Sequence, residues 1–178
     1  MNPDLRWPEG IVNPAVRDRG MSRYLRPRRP GVPIFFTVCL ADRGVDLLVR
    51  EVAALRQAVR ETKGERPFAI DAWVVLPDHM HCVWTLPEGD GDYSTRWSVI
   101  KARFSRAMPA VDRRASHAVR CEHGIWQRRF WEHHIRDDDD YRAHVRYCWV
   151  NPVKHGLVGD PGEWPWSSYH RDGGTFAA

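Results

Sequence analysis

Lysine is scarce in this chain: Lys63, Lys101 and Lys154 are the only three among 27 basic residues, which leaves 24 arginines. Arginine grips phosphate with two parallel hydrogen bonds and stacks on bases, so at a net charge of +4 nucleic acid is the first partner to consider. A solvated arginine surface with no partner explains the same composition. Cysteine is sparse as well. Cys39, Cys82, Cys121 and Cys148 lie far apart with no Cys-x-x-Cys, which argues against a disulfide framework and for a reduced, cytoplasmic protein. Cys121-Glu122-His123 has no second pair at zinc-finger spacing. No apolar run approaches the roughly 18 residues that cross a bilayer, and no apolar stretch follows the N-terminal arginines, so neither a membrane helix nor a secretory signal is expected.

At 178 residues the chain has room for one buried core, and one domain with appendages is expected. Residues 1–30 hold seven arginines interleaved with five prolines, too little apolar matter for a core, and read as a basic arm before a domain over 31–178. Met21 opens a second start just ahead of Ser22-Arg23-Tyr24. The arm suits a DNA backbone or a solvated tail equally well.

Periodicity then lays out the elements. From Val32 to Leu40 the run is apolar on both faces, with Ile34, Phe36, Val38 and Leu40 opposite Phe35, Thr37 and Cys39, as in a strand buried on both sides. Leu48, Val52, Leu55 and Val59 form a helical stripe over about 47–63, closed by Lys63-Gly64. Phe68 to Leu76 alternates, Pro77-Asp78 reverses the chain, and His79 to Leu86 runs back, which predicts a hairpin. Ser94 or Thr95 is positioned to cap a helix bearing Trp97, Ile100, Phe104 and Met108. Arg96 and Arg103 share another face of it, either meeting phosphates or solvated. Residues 109–124 read as a loop, and Ile125 to Ile135 as a further strand.

The acidic run Asp137 to Asp140 and the basic, glycine-closed Lys154-His155-Gly156 bracket a last helix. On it Tyr141, Val145, Cys148, Trp149 and Pro152 make one stripe, with His144, Tyr147 and Asn151 on the opposite side, so Tyr141 is expected to pack and Tyr147 is not. Pro152 predicts a bend or a change of pitch. Lys154 and His155 either offset the helix dipole or contact DNA. The tail Trp164-Pro165-Trp166-Ser167-Ser168-Tyr169-His170 is too aromatic to stay in water and should fold back on the domain, base stacking being second choice.

Pro77-Asp78-His79-Met80-His81-Cys82-Val83-Trp84 organises the chemistry. Alternate strand residues face the same way, so His79 and His81 present two imidazoles on one face while Met80 and Cys82 point to the other. Two imidazoles aimed at one point can hold a metal ion. Tyr147 and Asn151, four apart on a helix, are neighbours. Together the pieces would make a His, His, Asn ion site beside a phenol, a set suited to phosphodiester chemistry. Spacing alone does not bring the two halves together. Asp78, Glu132 and His133 are candidates for a general base.

Leu76-Pro77-Asp78-His79-Met80-His81, then Gly124-Ile125-Trp126-Gln127-Arg128-Arg129-Phe130-Trp131, then Tyr147-Cys148-Trp149-Val150-Asn151-Pro152-Val153-Lys154-His155-Gly156-Leu157 stand in this order. The chain resembles, from about Ser22 to the Trp164-Pro165-Trp166 tail, the REP-associated tyrosine transposases. These are single-tyrosine members of the His-hydrophobe-His nucleases, related to insertion-sequence transposases that act on single strands. The resemblance implies an α+β, ferredoxin-like antiparallel sheet with the histidines on a central strand. It also implies His79, His81 and Asn151 as metal ligands and Tyr147 as the nucleophile that forms a 5′-phosphotyrosine and frees a 3′-hydroxyl. The implied cofactor is a divalent ion, Mg²⁺ or Mn²⁺, and the implied substrates are single-stranded DNA hairpins of repetitive extragenic palindromes with a flanking tetranucleotide. A monomer is expected. Two other readings stay open: a non-catalytic hairpin-binding protein domesticated from a transposase, and an RNA-binding or RNA-processing module.

Overall fold

A run of six buried residues, Ile34–Cys39, forms the first strand, β1, at the centre of the molecule. The computed structural model describes residues 31–108 and 124–172; the expected basic arm, most of the 109–124 loop and Cys121-Glu122-His123 lie outside them. After β1 come α1 (Leu47–Arg50), α2 (Val52–Glu65), β2 (Ala69–Val75), β3 (His79–Thr85), α3 (Tyr93–Ala107), β4 (Trp131–His134) and α4 (Asp138–Lys154). A 3₁₀ turn (Pro161–Glu163) and a short α5 (Tyr169–Asp172) follow. The strands pair in the order β2-β3-β1-β4, every neighbour antiparallel. This is the α+β arrangement expected, and β3 with its histidines is central.

The two faces of the sheet carry separate cores. Phe36, Val38, Met80, Cys82 and Trp84 pack against α2 and α3, where Trp84 stacks on Trp97 with ring centres 4.1 Å apart. Phe35, Ala72, Val74 and Val83 pack against Val145, Tyr147, Cys148 and Trp149 of α4. Because side chains alternate along β3, Met80, Cys82 and Trp84 serve the first core and leave His79, His81 and Val83 on the α4 side. The β2–β3 hairpin is interrupted only by a shift of register between Ile70 and Ala72.

Several local expectations are corrected. The first helical stretch is not continuous: Glu51, at φ −107° and ψ 29°, divides α1 from α2, and Leu48 N–H donates to Pro77 O (3.0 Å), so tertiary docking sets the direction of the first turn. Asp92, not Ser94 or Thr95, caps α3, its carboxylate accepting from Thr95 N–H at 3.2 Å. Only Trp131–His134 of the expected 125–135 strand joins the sheet; Trp126 makes a lone bridge to Leu40. Helix α4 runs through Pro152 to Lys154.

Arg96 and Arg103 are both engaged within the protein. Arg96 is 3% exposed and its guanidinium donates to Arg66 O, Pro67 O and Asp92 O and pairs with Asp90. Arg103 ties α3 to Thr62, Glu61 and Glu65 of α2. Both arginines are spent on joining α3 to its neighbours, which hydropathy spacing does not reveal.

The aromatic tail folds back as expected. Trp164 Nε1 donates to Val75 O (2.8 Å), Val75 N–H to Trp166 O (2.9 Å) and Ser168 N–H to Trp73 O (2.7 Å), so the tail covers the free edge of β2. Trp149 Nε1 donates to Ser168 Oγ at 3.0 Å and fastens α4 to the same segment. Helix α4 is thus held between sheet and tail, which is why both of its stripes are buried: Tyr147 (6% exposed), His144 and Asn151 face inward, against the expectation for that side.

Candidate active site

On β3 the imidazoles of His79 and His81 stand nearly perpendicular, 87°, with ring centres 5.0 Å apart, and both are buried. Tyr147 of α4 lies edge-on to His81 at 5.1 Å, so the strand and the helix that spacing could not join do meet here. Phe35 lies beneath, stacked on His81 at 5.6 Å and edge-on to Tyr147 at 5.8 Å. His155, just past the helix end, brings its ring within 5.1 Å of His79.

The helix end that places His155 closes through two backbone bonds, Gly156 N–H to Val153 O (2.9 Å) and Leu157 N–H to Pro152 O (2.9 Å). They need Gly156 at φ 68°, a left-handed conformation that glycine adopts without strain. Asp137 starts the helix, its side chain accepting from Asp140 N–H at 2.8 Å. This pair of caps fixes where Tyr147 and Asn151 sit along the sheet.

Asn151 is fully buried, and neither its Oδ1 nor its Nδ2 has a hydrogen-bond partner of good geometry. An amide left so in the interior is costly unless something else engages it. Burial pushes the Tyr147 phenol well above its ordinary pKa, and the neighbouring Asn151 amide opposes that rise. Burial likewise holds His81 well below the usual imidazole range, with the nearby His79, His155, Arg43 and Lys154 adding to the effect, so its ring stays neutral, as a metal ligand must be. Two imidazoles and an amide oxygen are a donor set that fits a divalent ion, and the neutral, buried His81 beside His79 is the feature that favours one. Mn²⁺ accepts imidazole more readily than Mg²⁺ does.

Around this centre lie Thr37 and Arg43, which hydropathy and motif spacing did not single out, together with Asp78, His155 and Lys154, which they did. Thr37 Oγ1 is 2.9 Å from His81 Nδ1, and Asp78 Oδ1 is 2.5 Å from His79 Nδ1. Arg43 Nε pairs with Asp78 Oδ2 at 2.8 Å. Burial alone would raise the Asp78 carboxyl, but His79 and Arg43 outweigh it and leave it below the usual carboxylate range. A groove of about 340 Å³ opens beside His79, lined by Arg43, Asp46, Asp78 and His155. Lys154 places its ammonium 5.1 Å from the centre of the Tyr147 ring.

A second cluster lies at the other end of α4. His133, Asp140 and His144 bring possible ligand atoms within 4.8 Å of one another and could hold a metal ion. The Asp140 carboxylate is already engaged, however: its Oδ2 accepts from His133 Nε2 (2.8 Å), Arg136 N–H (3.0 Å) and Arg136 Nε (3.1 Å). Despite burial, these donors hold its pKa down at about 2.

No protein-family model matches the chain. Among curated proteins it is 50% identical over 152 residues to the REP-associated tyrosine transposase of Escherichia coli (strain K12), covering 85% of each. It belongs to the REP-associated tyrosine transposases. A Haemophilus influenzae protein named "Putative REP-associated tyrosine transposase" is 43% identical over 154 residues, 85% of this chain and 88% of that one. A solved REP-associated tyrosine transposase, described as bound to a REP hairpin, superposes with a TM-score of 0.74 at 49% identity over 85% of each chain. The transposase fold read from the motifs is therefore the fold observed. Among the described residues, no helix is long and apolar enough to cross a membrane.

Proposed function

We propose that this transposase cleaves and rejoins single-stranded DNA at REP-type hairpins, with Tyr147 as nucleophile and with His79, His81 and Asn151 holding a divalent ion. The observation that carries the reading is the packing of Tyr147 against His81, ring centres 5.1 Å apart, with His79 5.0 Å further along the same strand face. The hairpin comes from the relative solved with one, at 49% identity.

When bound, the ion neutralises charge on a non-bridging phosphate oxygen. The chain supplies the rest. Tyr147 Oη forms a bond to phosphorus as the bond to the 3′ oxygen breaks; the phenol gives up its proton and the departing oxygen gains one. The product is a 5′-phosphotyrosine and a free 3′-hydroxyl, which can reverse the attack and rejoin strands. Phe35 and His81 hold the phenol from below and beside, and the Lys154 ammonium over its ring favours developing phenolate charge. Asp78 and His133, two candidates for a base, are bound up with His79 and Asp140 respectively. Arg43 and His155 line the groove through which the strand on one side of the cleaved phosphate would lie.

The burial of Tyr147 favours one competing reading, a hairpin binder with no covalent step. End-labelled single-stranded hairpin DNA, incubated with the protein and Mn²⁺ and run on a denaturing gel, separates the two. The proposal expects a protein–DNA adduct that disappears in Tyr147→Phe. Hairpin binding without any adduct, or an adduct that survives Tyr147→Phe, would overturn it. Preference for the RNA strand of the same sequence would instead favour an RNA-processing module.

A further inference from the structure

We propose that Thr37 and Asp78 are positioning residues that each hold one histidine by Nδ1, so that Nε2 of both His79 and His81 is the nitrogen offered to a cation. The inference rests on the metal-dependent reading above and adds to it the residues that orient the ligands.

Thr37 is the polar residue in the otherwise apolar β1 sequence Ile-Phe-Phe-Thr-Val-Cys, and it is 5% exposed. Burying a hydroxyl is unfavourable unless it is hydrogen-bonded. Register answers the cost: Thr37 sits directly opposite His81 on the neighbouring strand, and the two side chains meet at 2.9 Å through Nδ1. Asp78 reaches His79 from a different element, the turn between β2 and β3, and an ionised carboxylate can only accept. His79 Nδ1 therefore carries a proton, and Nε2 is the ring nitrogen outside this contact. Arg43, from the loop after β1, holds the other oxygen of Asp78 at 2.8 Å and so fixes the carboxylate that fixes the ring. Its Nη2 also approaches His79 Nδ1, at 3.3 Å, but that nitrogen is already committed to the nearer Asp78.

Two independent elements thus each engage one Nδ1, and neither contact touches Nε2. A hydroxyl can donate or accept, and we assign the accepting role to Thr37 Oγ1, with the proton on His81 Nδ1. Carboxylate and hydroxyl partners of this kind orient ligating histidines in metal sites, and losing one typically weakens metal affinity by 10- to 100-fold. The two anchors are not equivalent. The charged Asp78 also makes its imidazole a stronger donor, so its loss should weaken binding more than loss of Thr37.

Titration calorimetry of the full chain with Mn²⁺, without DNA, tests this through affinity rather than turnover. Thr37→Val, which removes the hydroxyl at nearly constant shape, should bind Mn²⁺ about 10-fold more weakly, and Thr37→Ser should restore it. Asp78→Ala should lose about 100-fold, with Asp78→Asn in between. Thermal melting of the metal-free proteins accompanies each titration; if Asp78→Ala unfolds, Asp78→Asn carries the comparison. Wild-type affinity in Thr37→Val and Asp78→Asn, or a Thr37→Ser variant as weak as Thr37→Val, would overturn the inference. If those variants bind as wild type does while wild type still forms its Tyr147 adduct, only the positioning roles fail. A wild-type chain that binds no Mn²⁺ and forms no adduct removes the parent reading as well.

Discussion

On the face of the sheet covered by α2 and α3, β3 offers Met80, Cys82 and Trp84; on the face covered by α4, the same strand offers His79, His81 and Val83. All six are at most 5% exposed. Burial does not tell the two faces apart, but their materials do. From β3 the first receives only a thioether, a thiol and an indole, closed by the Trp84–Trp97 stack, and its polar groups, the Tyr93 phenol and the His134 imidazole, come from α3 and β4. The second encloses imidazoles, a threonine hydroxyl, a phenol and an amide, groups that a purely structural core would replace with apolar ones. One sheet therefore separates a stabilising half from a chemical half at the thickness of a single strand.

Breaking the apolar half should have the largest effect. Trp84→Ala removes a fully buried ring that packs on Phe36, Phe68 and Trp97. We expect a loss of about 3–5 kcal/mol in urea denaturation, with hairpin binding lost only in proportion to the unfolded fraction. An undiminished stability would mean that α2 and α3 do not anchor the fold.

Acid should act on the polar half first. The Asp140 carboxylate, which links β4 to α4, has a folded pKa of about 2 against an ordinary 3.8. A lowered folded value contributes stability that is complete above 3.8 and is lost as pH falls through about 2. Denaturation midpoints of wild type should therefore decline over that window, and Asp140→Asn, already lower near neutrality, should show a shallower decline. Equal slopes would remove Asp140 as the link between β4 and α4.

A smaller change sharpens the contrast. Gly156→Ala leaves open space around the added methyl but forces an alanine into φ 68°. It should cost about 1 kcal/mol in thermal or urea melting, through backbone strain alone. The same substitution should weaken hairpin binding more than that loss implies if His155 needs the helix end to face the groove.

The difference between the faces also explains what could be read beforehand. The alternation of β1 and the hairpin, the helical stripe of α2 and the acidic start of α4 follow from period and capping, and they appear where expected because local preference and burial agree there. The fate of Arg96 was hidden, since a guanidinium that satisfies three backbone carbonyls has the same spacing as one that waits for phosphate. Periodicity assumes one buried stripe per helix and leaves Tyr147 on the other side, whereas the sheet, through Phe35 and His81, covers the Tyr147 stripe and the Trp164–Ser168 tail reaches the Trp149 side. His79 and His81 were legible as a pair. Thr37 was not, because its role depends on cross-strand register, which a single strand's sequence does not contain. The His133, Asp140 and His144 cluster escaped for a similar reason: one member is on β4 and two are on α4.

That second cluster makes the most direct test a question of place. Crystals of the protein grown with MnCl₂ and measured at a wavelength where manganese scatters anomalously will show where the ion goes. The account predicts a peak in bonding contact with the imidazoles of His79 and His81 on the Tyr147 side of β3. A peak confined to His133, Asp140 and His144, with none beside the paired histidines, would contradict it.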